Sequence, residues 1–339
     1  MQTIIASIII FGLLIFVHEF GHFAAARLTG VRVLEFAIGF GKELLSWESK
    51  GTHYSFRLFP LGGFCRMLGL GEEQAEAQEK GNFQQKPLLS RFLVIIAGSL
   101  MNFLLGVVLF SLVYFLFLGV PQTQWAQIGE VLPGSRAEQA GLLPGDTILS
   151  IGGSPTDNWE AVIQQIHASP EKEISLIVQR DDQKISFTVV PAEEEGRGLI
   201  GIAPLYKRFM LMSSIGLGFT YTWFFGKLIL VSLAQMVTGT IPADVTGPVG
   251  IVAVVGEVAR TGLSNLLSLA AIISVNLGVI NLLPIPALDG SRVIFLAWEA
   301  IRGKPVDPQK EGFIHFIGFT VLILLMIIIS FQDISRLLF

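Results

Sequence analysis

Four long apolar stretches punctuate the chain. They run from Thr3 to about Leu28, Phe92 to Leu118, Leu263 to Ala300 and Phe313 to Phe331, and the second and fourth hold no Asp, Glu, Lys or Arg. Crossing the hydrocarbon of a bilayer takes about 20 helical residues, so each stretch predicts a membrane span. A fifth stretch, Phe209–Val237, is apolar enough to cross but mixes Ser, Thr, Tyr and Gly with Lys227 and Gln235. That mixture predicts an amphipathic helix that lies at the outer membrane interface or dips in without crossing, with a fifth span as the competing reading.

The segments between the spans have patterns of their own. Thr29–Ser90 carries short alternations such as Tyr54–Phe59 and a glycine-rich tract, Leu61–Gly71. It predicts a small β-rich element followed by a polar loop. Gln122–Pro204 holds strand-like runs at Ala126–Val131, Thr147–Ile151, Ile174–Gln179 and Ile185–Val190, with a helical run at Trp159–Ile166. Turn signals at Pro133–Gly134, Pro144–Gly145 and Asp181–Asp182 separate them, which predicts one compact α/β module. No fixed-period repeat is visible.

Composition agrees with a membrane protein. The 339 residues are 52% hydrophobic and only 15% charged, against about 25% charged in soluble domains. Mean hydropathy is +0.64. The net charge of −4 offers no basic footprint for nucleic acid. The single cysteine, Cys65, excludes an internal disulfide framework. The first apolar run lacks a basic start and continues into His18, Glu19 and His22, so it is expected to be a retained helix rather than a cleaved leader. Thr29–Ser90 is rich in Lys and Arg, which places it in the cytoplasm and Met1 outside.

His18-Glu19-Phe20-Gly21-His22 reads H-E-x-x-H. On a helix, residues four apart share a face, so both imidazoles can bind one ion while Glu19 holds a water as general base. Ionisable groups inside an apolar span are costly and mark function. A catalytic zinc takes three protein ligands and a water. The candidate third ligand is Asp289, the one carboxylate of Leu263–Ala300 before Glu299. It follows two helix-breaking prolines, Pro284 and Pro286. The alternative is a proline kink whose aspartate merely pairs with Arg292.

With both motifs present, the chain resembles a site-2 protease of the bacterial RIP-metalloprotease type. That family joins H-E-x-x-H in its first span to N-x-x-P-x-P-x-L-D-G in a later one, matched here by Asn281–Gly290. Its Leu-Gly-Gly tract appears as Leu61-Gly62-Gly63. The resemblance covers nearly the whole chain. It implies one zinc per chain held by His18, His22 and Asp289, with Glu19 as the base. It also implies substrate contact at Asn276, Asn281, Gly62 and Gly63, in a segment shaped by Pro284 and Pro286; for the asparagines, helix–helix hydrogen bonding is the alternative. The soluble module resembles a PDZ domain through Val131–Ala137, Ala140-Gly141-Leu142 and Pro144-Gly145-Asp146, and more weakly through Leu199–Ile202. A PDZ domain binds extended peptide ends by strand addition. The implied partners are membrane-protein substrates such as anti-sigma factors or remnant signal peptides, an upstream site-1 protease, and the bilayer of the bacterial plasma membrane.

The expected architecture is a polytopic α-helical membrane protein with about four spans, an intramembrane zinc site, a small cytoplasmic β-rich element and one inserted extracytoplasmic PDZ domain. Its boundaries are a first span 1–28, a β-rich region 29–90, a second span 91–119, the PDZ domain 120–205, an interfacial segment 206–262, a span 263–301, a cytoplasmic loop 302–312 and a last span 313–339. Parity argues for four. Were Phe209–Val237 to cross, the segment bearing Asp289 would run the wrong way and miss the depth of His18 and His22. Two other classes compete: a proteolytically inactive scaffold, disfavoured by the intact Glu19, and a metal transporter, disfavoured by the uniformly apolar second and last spans and by the lack of internal symmetry.

Overall fold

The computed structural model describes residues 2–70, 79–242 and 245–338. From the N-terminus the chain forms α1 (Gln2–Thr29), β1 (Val33–Ser49), β2 (Thr52–Met67) and α2 (Leu88–Leu116). A run of short elements follows: β3 (Gly119–Pro121), β4 (Ile128–Val131), α3 (Arg136–Ala140), β5 (Thr147–Ile151), β6 (Ser154–Pro155), α4 (Trp159–His167), β7 (Ile174–Arg180), β8 (Gln183–Val189), β9 (Ala192–Glu194), β10 (Arg197–Leu199), β11 (Ile202–Pro204) and β12 (Tyr206–Arg208). The chain ends with α5 (Leu211–Val237), α6 (Pro248–Val258), α7 (Leu263–Asn281), α8 (Asp289–Arg302) and α9 (Pro308–Leu338). It divides into two units, Met1–Val113 with Leu211–Phe339, and Tyr114–Met210.

The helical unit packs because its helices carry apolar residues on nearly every face, as membrane helices do. Ile10 and Leu14 of α1, Leu109 and Phe110 of α2, Val255 of α6 and Ala270 and Ala271 of α7 form one buried cluster. Ala26, Val94, Ile95 and Leu296 join Val33 and Met67 of the β-hairpin in a second. On α1 and α2, residues 18–22 and 98–102 lie between these clusters. Many remaining apolar side chains, including Phe313, Phe316 and Ile327 on α9, are exposed outward, where a bilayer would cover them.

Among the described residues, five helices rather than four are long and apolar enough to cross a membrane, and α5 is the addition. One face of it packs against the bundle. Ser214, Gly218, Thr222 and Gly226 recur every fourth residue and are buried. A Cβ on Gly218 would collide with Val107 O and Ser111 on α2, and Thr222 lies beside Gly106. Some of the polar and small residues of this stretch thus form a strip that lets two backbones approach closely.

The parity argument turns on the directions of the helices. Residues 218, 222 and 226 of α5 meet positions 107–111, 106 and 103 of α2, so the two helices run antiparallel. The same holds for α7, whose Ser274 bonds Asn102 and whose Gly278 packs on Ser99. Hence α5 and α7 run in the same direction. Between them in sequence, α6 packs on α1 with Gly256 against Thr3. A long α5 therefore does not reverse α7, and Asp289 still reaches the histidines.

The hairpin of β1 and β2 is irregular. Val33–Ile38 pairs antiparallel with Gly63–Met67, and Glu43–Ser49 with Thr52–Arg57. Its far end presents Phe40, Leu44, Leu45, Trp47 and Phe59 outward. The polar loop expected after the glycine tract falls partly in residues 71–78, outside the described residues.

The second unit has a core of its own built on Ile128, Leu142, Ile148, Trp159, Val162, Leu176 and Val178. Its main sheet has the order β6-β5-β7-β8. The Asp181–Asp182 turn joins β7 to β8 with φ of 45° and 62°, as a two-residue I′ hairpin requires. Entry and exit are paired through β3 and β12, Gly119 opposite Arg208. The six strands β3, β6, β9, β10, β11 and β12 lie outside the expected strand runs, being two or three residues long.

Candidate metal centre

Helix α1 places His18 and His22 one turn apart with Nε2 atoms 3.2 Å from each other. Asp289 Oδ2 lies 3.2 Å from each of those nitrogens. Three donor atoms thus form a near-equilateral triangle. Zinc bonds of 2.0–2.1 Å at a tetrahedral angle put ligand atoms about 3.3–3.4 Å apart, so this set fits that ion. A further observation supports the fit: Asp289 Oδ2 is buried without a hydrogen-bond donor. A buried anionic oxygen held between two imidazole Nε2 atoms suits a cation. The alternative of an aspartate paired with Arg292 does not describe this geometry.

Local backbone chemistry delivers Asp289. Helix α7 stops at Asn281, and Pro284 and Pro286 prevent its continuation. Ala287 then adopts φ of 78°, and its N–H donates to His315 Nδ1 at 3.1 Å. Asp289 is the first residue of α8, so its carboxylate sits at a helix N-terminus. A Cβ at Gly290 would collide with the carbonyls of Leu282 and Leu283. At the other end of α8, Glu299 forms a buried pair with Arg91 in the first turn of α2.

Helix α2 supplies no ligand but shapes the histidines. His22 Nδ1 donates to the Val94 carbonyl at 2.8 Å. That bond fixes the tautomer in which Nε2 carries a lone pair. One turn on, a Cβ at Gly98 would strike His22 Nε2 and lie 2.7 Å from His18 Cε1. Only hydrogen fits there.

Glu19 lines a cavity of ≈ 260 Å³ with Ile15, His18, Leu277, Asn281 and Asp289. The backbone N–H of Cys65 lies near its carboxylate. Gly63 packs against the same side chain: a Cβ there would lie 3.6 Å from Glu19 Cγ and 2.8 Å from the Ala37 carbonyl. Gly62, at φ of 125°, lies under the Phe40 ring. Gly63 therefore borders Glu19, whereas Gly62 meets Phe40.

The remaining expected residues divide. Asn281 Nδ2 stands 3.4 Å from His18 Nε2 and lines the cavity. Asn276, half-buried on α7, does not line it. Pro284 and Pro286 act through the backbone. Sequence reasoning missed Val94, Gly98, Asn102, Cys65 and His315. A glycine and an asparagine four apart in an otherwise apolar span were the available signal. A second acidic cluster, Glu35, Glu43 and His53, is already bridged by Arg57, which bonds both carboxylates.

Comparisons with known proteins follow this geometry. A family described as Peptidase family M50 matches residues 6–325. "Regulator of sigma-W protease RasP" of Bacillus subtilis is 35% identical, covering 99% of both chains. "Zinc metalloprotease RasP" of Geobacillus kaustophilus is 34% identical over 99% of this chain and 98% of its own. A "Putative zinc metalloprotease" of Clostridium acetobutylicum is 37% identical over 98% and 97%. Among solved structures, a PDZ domain of Listeria monocytogenes covers 24% of this chain and 88% of its own at 19% identity and a TM-score of 0.23.

Proposed function

Since the chain belongs to Peptidase family M50 and is a zinc metalloprotease, we propose that it cuts peptide bonds within the transmembrane segments of other membrane proteins. The observation that carries this reading is the placement of the His18–His22–Asp289 triangle and Glu19 within a bundle of apolar helices. One zinc per chain would be held by the two Nε2 atoms and Asp289 Oδ2. When bound there, zinc supplies Lewis acidity, polarising a carbonyl and acidifying a water.

The chain's own groups do the rest. Glu19 takes a proton from the attacking water and passes it to the departing amine nitrogen, so the carboxylate is restored each cycle. The backbone N–H of Cys65 lies beside that carboxylate. Asn281 sits where it can meet the backbone of a substrate near the ligands. A membrane helix must unwind before its amides are exposed to attack. The Gly63–Cys65 stretch of β2, beside Glu19, can receive the unwound strand by edge pairing.

The Tyr114–Met210 unit is read as a PDZ domain outside the membrane, on its sequence motifs and the positive-φ turns at Gly134 and Gly145. It would receive peptide ends or exclude bulky ectodomains, so that substrates arrive trimmed by a site-1 protease. The lysine- and arginine-rich 29–90 region then faces the cytoplasm, with the zinc site toward that side.

The test is cleavage of a model single-span substrate by detergent-purified protein. Glu19→Gln is expected to keep its zinc and lose about 10²–10⁴ of the rate. Undiminished turnover by that variant contradicts the assignment of the base. A parent that holds zinc and hydrolyses a soluble peptide but no membrane span contradicts the intramembrane reading.

A further inference from the structure

Beyond Val94 and Gly98, the same face of α2 carries Asn102 one turn further on. Its side chain is wholly buried. The carboxamide lies 3.2 Å from His18 Nδ1, the ring nitrogen opposite the one that faces Asp289. With the amide nitrogen against the ring, two conflicts arise. Asn102 Oδ1 is left buried without a donor. His18 must also accept at Nδ1 and so keep its proton on Nε2, which points at His22 and Asp289. The nitrogen and oxygen of a carboxamide are distinguished by their hydrogen bonds, not their shape. A half-turn of the amide removes both conflicts.

We infer that Asn102 is a positioning residue that accepts a hydrogen bond from His18 Nδ1–H and thereby holds this imidazole in its metal-binding tautomer. The Val94 carbonyl performs the matching task for His22. One face of α2 then sets both histidines, with Val94 and Asn102 as acceptors and Gly98 as the gap between them. Ser274 Oγ donates to the Asn102 carbonyl at 2.8 Å, which anchors this turn of α2 to α7. The inference rests on the zinc site proposed above and adds the group that orients its first ligand.

The alternative, a polar contact that serves helix packing alone, predicts the opposite pattern of variants. Leucine has the same branched outline as asparagine and packs well in an apolar bundle, whereas a buried aspartate needs a donor. The experiment uses the full-length, detergent-purified protein loaded with zinc and challenged with a chromogenic chelator. Melting of the zinc-free forms is followed in parallel. Asn102→Leu is expected to weaken zinc binding about 10–100-fold while its zinc-free form melts like the parent. Asn102→Asp, whose carboxylate accepts the same bond, is expected to bind zinc at least as tightly as the parent. Parent-like zinc affinity in Asn102→Leu overturns the inference while leaving the zinc site standing. So does equal weakening in both variants, or a loss in Asn102→Leu matched by lower melting of its zinc-free form. A parent that binds no zinc overturns the site and the inference together.

Discussion

Two aspartates in the molecule invite comparison. Asp146, in the Tyr114–Met210 unit, is 1% exposed. Leu143 N–H donates to its Oδ2 at 2.9 Å, and Arg180 donates to both oxygens at 2.6 and 2.7 Å. Asp289, in the helical unit, meets only the two imidazoles, and its Oδ2 has no donor. One carboxylate is closed by N–H groups, and the other faces donor atoms of its own kind. A satisfied buried carboxylate ties a fold together, while an unsatisfied one beside lone-pair nitrogens marks a place for a cation. Burial alone would have ranked Asp146 first.

That contrast can be broken or sharpened. The largest effect is expected at Asp289: replacing it with alanine should abolish cleavage, read with a single-span substrate, because a catalytic zinc needs its third ligand. Gly98→Ala tests the geometry without touching a donor atom. Its new methyl group meets both imidazoles, and a displacement of about 1 Å costs about 10² in rate; cleavage and zinc content are the readouts. Asp146→Asn should spare zinc and destabilise its own unit by about 2–3 kcal/mol, measured by denaturant unfolding.

The pH dependence of that unit follows from the same bonds. Burial pushes the Asp146 carboxyl up, but hydrogen bonds from Arg180 and Leu143 outweigh it and hold it below the ordinary carboxylate value. Its contribution is therefore fully present above the unfolded value of about 3.9 and fades as pH falls below it. The smallest contrast lies on α5. Gly218→Ala should loosen the contact with α2 and lower the melting temperature. Gly216→Ala, which meets nothing within 4 Å, should shift stability by less than about 1 kcal/mol.

Much of this was legible in the sequence, and for a physical reason. Ionisable residues in an apolar helix have few innocent explanations, so His18, Glu19 and His22 stood out, and the paired prolines pointed to Asp289. The soluble module was legible where turn chemistry was strong, at Gly134, Gly145 and Asp181–Asp182. The packed face of α5 shows what a hydropathy window does not see. Ser214, Gly218 and Thr222 look like polarity to a hydropathy window, yet in a bundle they are small residues at a helix crossing. Val94 was illegible for another reason: it acts through a backbone carbonyl, which no side chain advertises. Gly98 and Asn102 were visible only as departures from an apolar run.

The most direct measurement is zinc per chain in the parent, Asp289→Ala and Asp146→Asn, purified side by side and dialysed against a limiting chelator. About one zinc is predicted in the parent and in Asp146→Asn, with Asp289→Ala well below it. Parent-like zinc in Asp289→Ala would contradict the account, because the unsatisfied oxygen that defines the site would then be no ligand at all.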